Sequence, residues 1–240
     1  MAQPSAKYLG VKSGVADWLR EGRWKFGQAI PSEPVLAHRF GVSVGTVRRA
    51  VDELVAENIL VRQQGRGTFV ASHTRDYLFN VFFRIVNKDG QKERSTPRLL
   101  SFRRVAADRT TAAALRIAHG APVYRIRNLI MLRRTAVAFD DIRLPERLFP
   151  GLTEYALSQR ETTVYGVLQQ RYGVNVLWAE ELVSAVIAGG SLRTLLDLTR
   201  PSAVLKVQRT AYTYRDVPID FRYRFVSTAH HGYQIFLGRH

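Results

Sequence analysis

Between residues 30 and 70 the apolar positions change period, from about 3.6 residues to about 2. Leu36, Ala37 and Phe40 make one helical stripe, and Val47, Val51 and Leu54 or Val55 make a second, with Gly41, Val42 and Ser43 as the turn between them. Ser32 stands where it can cap a helix over 33–39, and Pro34 falls in the first turn, where its missing N–H costs nothing. Ser43 is placed to cap the second helix. Residues 59–62 and 68–70 then read as two strands around a tip of Gln63, Gln64, Gly65, Arg66 and Gly67. Upstream, 11–22 predicts a helix with Val15, Trp18 and Leu19 inward and Gly22 ending it. The layout is that of a winged helix-turn-helix.

Beyond a short polar stretch at 71–76 the pattern changes. Residues 77–86 are rich in aromatic and β-branched types, and strands are predicted at 98–106, 122–133, 136–144, 177–188, 203–214, 218–227 and 233–237. Helices are predicted at 108–117, capped by Asp108, at 163–172, ending at Gly173, and at 191–198. Hairpin-connected strands with a few inserted helices predict an α+β fold built on an antiparallel sheet. The expected domains are 1–72, a linker at 73–76, and 77–240.

The second helix carries its chemistry on the face opposite the apolar stripe. A helix that enters a major groove needs a polar, basic face in its first turns, and Thr46, Arg48 and Arg49 supply it. Glycines at the wing tip let backbone approach a phosphate or the minor-groove floor, with Arg66 at its end. Arg48 could instead pair with Asp52 one turn on.

The run PSE (31–33), LA (36–37), FGVS (40–43), TVRRAV (46–51), Leu54, NIL (58–60) and GRGTFV (65–70) resembles the DNA-binding domain of the GntR family of bacterial transcriptional regulators. About sixty residues are covered, with Leu19 and Gly22 upstream. The resemblance implies DNA contacts from Ser32, Ser43, Val44, Thr46, Arg48, Arg49, Gly65, Arg66, Gly67 and Thr68. Three positions depart from the family pattern: Pro34 and Val44 stand where Arg is common, and Gly45 where Thr is common. Val44 can offer a thymine methyl only an apolar contact.

Charge changes this picture by its distribution. The chain has 36 basic and 20 acidic residues, a net of +16, which suits a polyanionic partner. Residues 1–75 account for +5 and the remaining 165 for +11, so most positive charge lies outside the helix-turn-helix. Arginines number 30 against 6 lysines; scattered solvated arginines and an anion-binding purpose for some of them both remain open.

In the second region, ALRIAHGAPVYRIRNL (114–129), AFDDIRLPERLFPGL (138–152), TVYGVLQQRYGV (163–174) and YRDVPIDFRYRF (214–225) are similar to the UTRA effector domain of the HutC branch of GntR regulators. The resemblance implies a chorismate-lyase-like fold with a small-molecule cleft in its sheet. Arg125 and Arg127, two apart on one strand, share a face, with Tyr124, Ile126 and Asn128 on the other. Arginines at this place and the acid matching Asp140 are expected to hold the effector, with Tyr165, Asp220 and Arg222 completing an effector pocket. The alternative is a set of salt bridges on an exposed sheet face.

Other chemistries find little support. There is no cysteine, no apolar run of about 20 residues, and no apolar core of a signal peptide in the first residues, so a cytoplasmic protein is expected. Six histidines form no metal-ligand spacing, no serine sits in a nucleophile elbow, and GRGTF lacks the strand-to-helix setting of a phosphate loop. No cofactor is expected. The expected function is a transcriptional regulator, a repressor of an adjacent catabolic or transport operon. It would bind a palindromic double-stranded operator as a homodimer and answer to a small, anionic effector. A chorismate-lyase-type enzyme with a basic N-terminal domain and a non-specific nucleoid binder are the rivals.

Overall fold

The computed structural model describes residues 4–25, 27–57, 59–71, 82–160, 162–199 and 201–236. The linker expected at 73–76 and the first part of the aromatic and β-branched stretch at 77–86 lie outside them.

Helix α1 (Pro4–Arg20) begins a full two turns before the expected start, because Tyr8 and Val11 continue the stripe of Val15 and Leu19. Gly22, at φ 74°, ends it: the Gly22 N–H reaches the Leu19 carbonyl and the Arg23 N–H the Trp18 carbonyl. Helices α2 (Glu33–Phe40) and α3 (Val44–Ala56) follow. Ser32 holds the N-cap position of α2, but its hydroxyl makes no capping bond; Pro34 removes one of the two N–H groups such a cap would use. Ser43 does cap α3, its Oγ accepting from the Thr46 N–H at 3.2 Å.

Val47, Ala50, Val51 and Leu54 pack α3 onto α1 and α2. Gly14 is where α1 and α2 meet, since a Cβ there would stand 2.5 Å from the Phe40 ring. The wing is an antiparallel pair, β1 (Leu60–Gln63) and β2 (Gly67–Val70), turned at Gly65.

The second unit has β3 (Ile85–Val86), β4 (Ser95–Ala106), α4 (Arg109–Leu115), β5 (Pro122–Leu132) and β6 (Thr135–Pro145). There follow α5 (Glu154–Ser158), α6 (Val164–Tyr172), β7 (Trp178–Ile187), α7 (Gly190–Leu195), β8 (Ala203–Thr213), β9 (Val217–Ser227) and β10 (Gly232–Tyr233). Six strands form one antiparallel sheet in the order β4-β5-β6-β9-β8-β7, while β10 pairs with β3 outside it. The expected caps hold: Asp108 accepts from the Thr111 N–H at 2.7 Å, and Gly173 at φ 64° closes α6. The five-residue α5 escaped the sequence reading because it is too short to show a period.

One sheet face lies under α5 and α6, with Ile126, Ile142, Leu144, Val164 and Leu168 among its buried residues. The other lies partly under α4, against Val123 and Phe221, and α7, against Phe139 and Phe225. On β6 the pleat sends the consecutive Asp140 and Asp141 to opposite faces.

Candidate functional site

Two surfaces carry the chemistry. On the helix-turn-helix, Val44, Arg48 and Arg49 are exposed and Thr46 half-buried at the start of α3. Arg48 Nε donates to Glu33 Oε2 at 2.9 Å, across to α2, so the pair with Asp52 does not form. Asp52 and Glu33 instead both hold Arg62 of the wing strand, each at 2.8 Å. One carboxylate, Glu33, thus ties the start of α2 to both α3 and the wing. Arg49 lies over the Tyr8 ring at 4.1 Å, toward α1. Arg66 stands at the wing tip, 5.9 Å from the Phe69 ring, with Gly65 and Gly67 both at positive φ. Thr68 is in β2, its carbonyl accepting from the Ile30 N–H at 2.9 Å.

The second surface is a cavity of about 390 Å³ on the α6 side of the sheet. Asp140, Tyr165 and Arg222 line it, and Asp220, fully buried, binds Arg222 from behind. Arg125 and Arg127 do not join them. The register sets Arg127 beside Asp141, and both arginines emerge on the opposite sheet face. There Arg125 makes two bonds to Asp141, at 2.9 and 2.6 Å, while Arg127 is exposed over the Phe139 ring at 5.3 Å. The expected six-residue pocket is therefore two separate clusters. The pleat alone groups Arg125 with Arg127; only strand register shows which of two adjacent aspartates faces them.

The cavity brings in residues that the sequence did not single out. Arg224 of β9 stands opposite Asp140 of β6 and grips it through Nε to Oδ1 at 2.6 Å and Nη2 to Oδ2 at 2.7 Å. Burial alone would raise the Asp140 carboxyl, but Arg224 and then Arg222 outweigh it and hold it below the usual carboxylate range. Arg222 pairs with Asp220 and lies 4.6 Å over the Tyr165 ring. Arg209 pairs with Glu181 and donates to the Phe82 carbonyl at 2.8 Å. The Tyr165 hydroxyl faces these cations without a well-formed hydrogen bond, and burial pushes it up to about 12.

Arg160 differs from its neighbours. Its Nη2 reaches Asn128 Oδ1 at 3.3 Å and its Nη1 the Leu157 carbonyl, but its buried Nε has no partner. Among the described residues no carboxylate lies within 4 Å of it. Burial lowers its pKa to about 10, the more distant Asp140 opposing the shift. Apolar surface from Phe82, Phe83, Ile130 and Val164 completes the wall. Such an arrangement can hold a small molecule with an anionic group and an apolar or ring-like body.

Comparison with known proteins now decides the family. The gntR family of bacterial regulatory proteins matches residues 7–70, and the UTRA domain matches residues 90–231. The chain belongs to the GntR family and carries a UTRA domain. Among similar proteins, the uncharacterized HTH-type transcriptional regulator YurK of Bacillus subtilis (strain 168) is 28% identical over 215 residues, 88% of this chain and 87% of YurK. The HTH-type transcriptional repressor NagR of the same organism is 24% identical over 211 residues, 87% of this chain and 85% of NagR. The ligand-binding domain of a GntR-family regulator from Bordetella bronchiseptica superposes with a TM-score of 0.61 at 30% identity, over 65% of this chain and 96% of that one.

The family makes this chain a transcriptional regulator and sets aside the chorismate-lyase-type enzyme. Its helix-turn-helix implies DNA binding, and its UTRA domain implies a small-molecule effector. Among the described residues no helix is long and apolar enough to cross a membrane, and no group of three or more His, Asp or Glu could hold a metal ion.

Proposed function

We propose that this regulator is a cytoplasmic, ligand-responsive repressor of the HutC branch, acting on a catabolic or transport operon next to its gene. A homodimer would set two α3 helices in successive major grooves of a palindromic operator. Ser43, Thr46, Arg48 and Arg49 contact backbone or base edges, with Ser32 at the start of α2 and Val44 against a thymine methyl. Gly65, Arg66, Gly67 and Thr68 bring the wing to the backbone. The working domain bounds are 1–72 and 77–240, joined by 73–76. NagR, a repressor by name, supports the sign of regulation.

The effector enters the sheet cavity, where Asp140, Tyr165, Asp220 and Arg222 act together with Arg160, Arg209 and Arg224. The observation that carries an anionic effector is Arg160: the buried guanidiniums of Arg209, Arg222 and Arg224 have carboxylate partners, whereas Arg160, like the exposed Arg94 at the rim, has none among the described residues. An anion there replaces water around a cation that burial already disfavours.

A thermal-shift screen of carboxylates and phosphates identifies the effector by mass action, and fluorescence anisotropy then follows DNA release. Equal affinity for random DNA and for the region upstream of the gene would favour the nucleoid-type binder. A screen in which only cations or neutral molecules stabilise the chain would remove the anionic effector.

A further inference from the structure

The turn between β8 and β9 leaves its own domain. Tyr214 is 5% exposed and packs within the core of the helix-turn-helix, with Val11, Val15 and Leu54 in the same cluster. Its neighbour Arg215 bonds Asp17 on α1. Asp216 is fixed from the effector side: Trp178 Nε1 donates to its carboxylate at 2.9 Å and Arg116 Nη1 to its carbonyl at 2.9 Å. Arg215 and Asp216 are both left-handed, at φ 58° and 51°, a conformation that side-chain-bearing residues keep where their surroundings hold them in place.

The strands that end in this turn are the ones that line the cavity. Arg209 on β8 stands opposite Arg222 on β9, and Arg224 lies two residues further along. Tyr214 lies five steps along the chain from Arg209, a reach of about 17 Å in extended backbone. The hairpin carries the cavity cations in its body and the DNA-binding head on its tip, with one register shift, at Ala211 and Tyr212, between them. Beside the tip lies a gap of about 500 Å³, lined by Lys12, Glu57, Trp178 and Arg215, so the turn has open space on one side while Tyr214 stays packed on the other. The exposed start of α3 takes no part in this contact, which leaves the DNA-facing side free while the head is held.

We propose that the β8–β9 turn is the link through which the cavity sets the placement of the DNA-binding head. This rests on the reading of the cavity as the effector site. An anion drawn to Arg209 and Arg222 competes with Glu181 and Asp220 for them, shifts the hairpin, and reseats Tyr214 and Arg215 on α1. A differential contact at one end and a second seating of the turn at the other are what a coupling of this kind requires.

The test needs no identified effector. The chain has no cysteine, so Asp17→Cys with Arg215→Cys gives a clean pair for thiol cross-linking in the full chain. A short bis-maleimide, which spans the length of the lost Arg side chain, should join them within one chain, whereas Asp17→Cys with Arg133→Cys, at the far end of the sheet, should stay unjoined. Hydrogen exchange of α1 then reports the link. Arg222→Gln, or Tyr165→Phe should the first variant not fold, should change exchange in α1 at least threefold. The same variant combined with Tyr214→Ala and Arg215→Ala should leave α1 unaffected by the cavity change. Absence of the cross-link, an α1 indifferent to both cavity variants, or a response that survives loss of the turn each overturns the proposal. Any of these with sequence-specific DNA binding intact sinks the link alone; loss of specificity with the link intact sinks the function.

Discussion

Asp140 and Arg224 face each other across β6 and β9 as a nearly fully buried ion pair with two hydrogen bonds, and Arg222 stands 3.7 Å from the same carboxylate. Removing one partner of such a pair leaves an uncompensated charge in a low-dielectric interior. Asp140→Asn should therefore destabilise the chain by about 3–5 kcal/mol, read from denaturant unfolding. Asp140→Leu with Arg224→Met should cost clearly less than the single change.

The same pair gives a pH dependence. Because the folded-state pKa of Asp140 is depressed, its contribution is present above the ordinary carboxylate pKa of about 3.9 and is lost as pH falls through the lower folded value. Thermal unfolding of the wild type between pH 6 and pH 3 should show a falling melting temperature at the acid end. The Asp140→Asn variant should show a smaller fall.

Arg160→Met should weaken binding of the anion found by screening about tenfold to a hundredfold, the weight of one charge-assisted bond, while leaving DNA affinity unchanged. Alanine at both Arg125 and Arg127 should leave the effector response intact, since they lie across the sheet. Titration calorimetry on the variants separates the two; loss of response in the Arg125 and Arg127 variant alone would reverse the assignment.

Glu33 neutralises Arg48 and Arg62 together. Glu33→Gln should tighten DNA binding and steepen its salt dependence by up to about one unit of slope per freed phosphate contact, whereas Arg48→Ala should do the opposite. Anisotropy titrations at several salt concentrations give both quantities.

Gly14→Ala would normally favour a helix by about 1 kcal/mol. Here the new methyl meets the Phe40 ring at 2.5 Å, so a net loss of about 1–3 kcal/mol is expected from overpacking. Urea unfolding of the variant measures it.

The helix-turn-helix was legible almost residue by residue, because its signals are local: a Gly41 turn, a Ser43 cap, a 3.6-residue stripe and a glycine tip. The α+β class and most strands were legible from alternation. Beyond hairpins such as β5–β6, which strands neighbour which was not, and with it went the pocket. Arg209, Arg224 and Arg160 reach one cavity from β8, β9 and the segment after α5, and no local pattern joins them. The seat of Tyr214 in the head is likewise a contact between distant segments, invisible to any spacing rule.

Asp140 and Asp141, adjacent on β6, each collect two arginines on opposite faces: Arg224 and Arg222 for one, Arg125 and Arg143 for the other. A slip of β6 by one residue would leave a carboxylate for the partner-strand arginines of only one face, depriving either Arg224 or Arg125 of its partner, and would turn every β6 side chain to the other side. The aspartate pair thus favours one alignment of the central strands over its neighbours, with or without a ligand or operator.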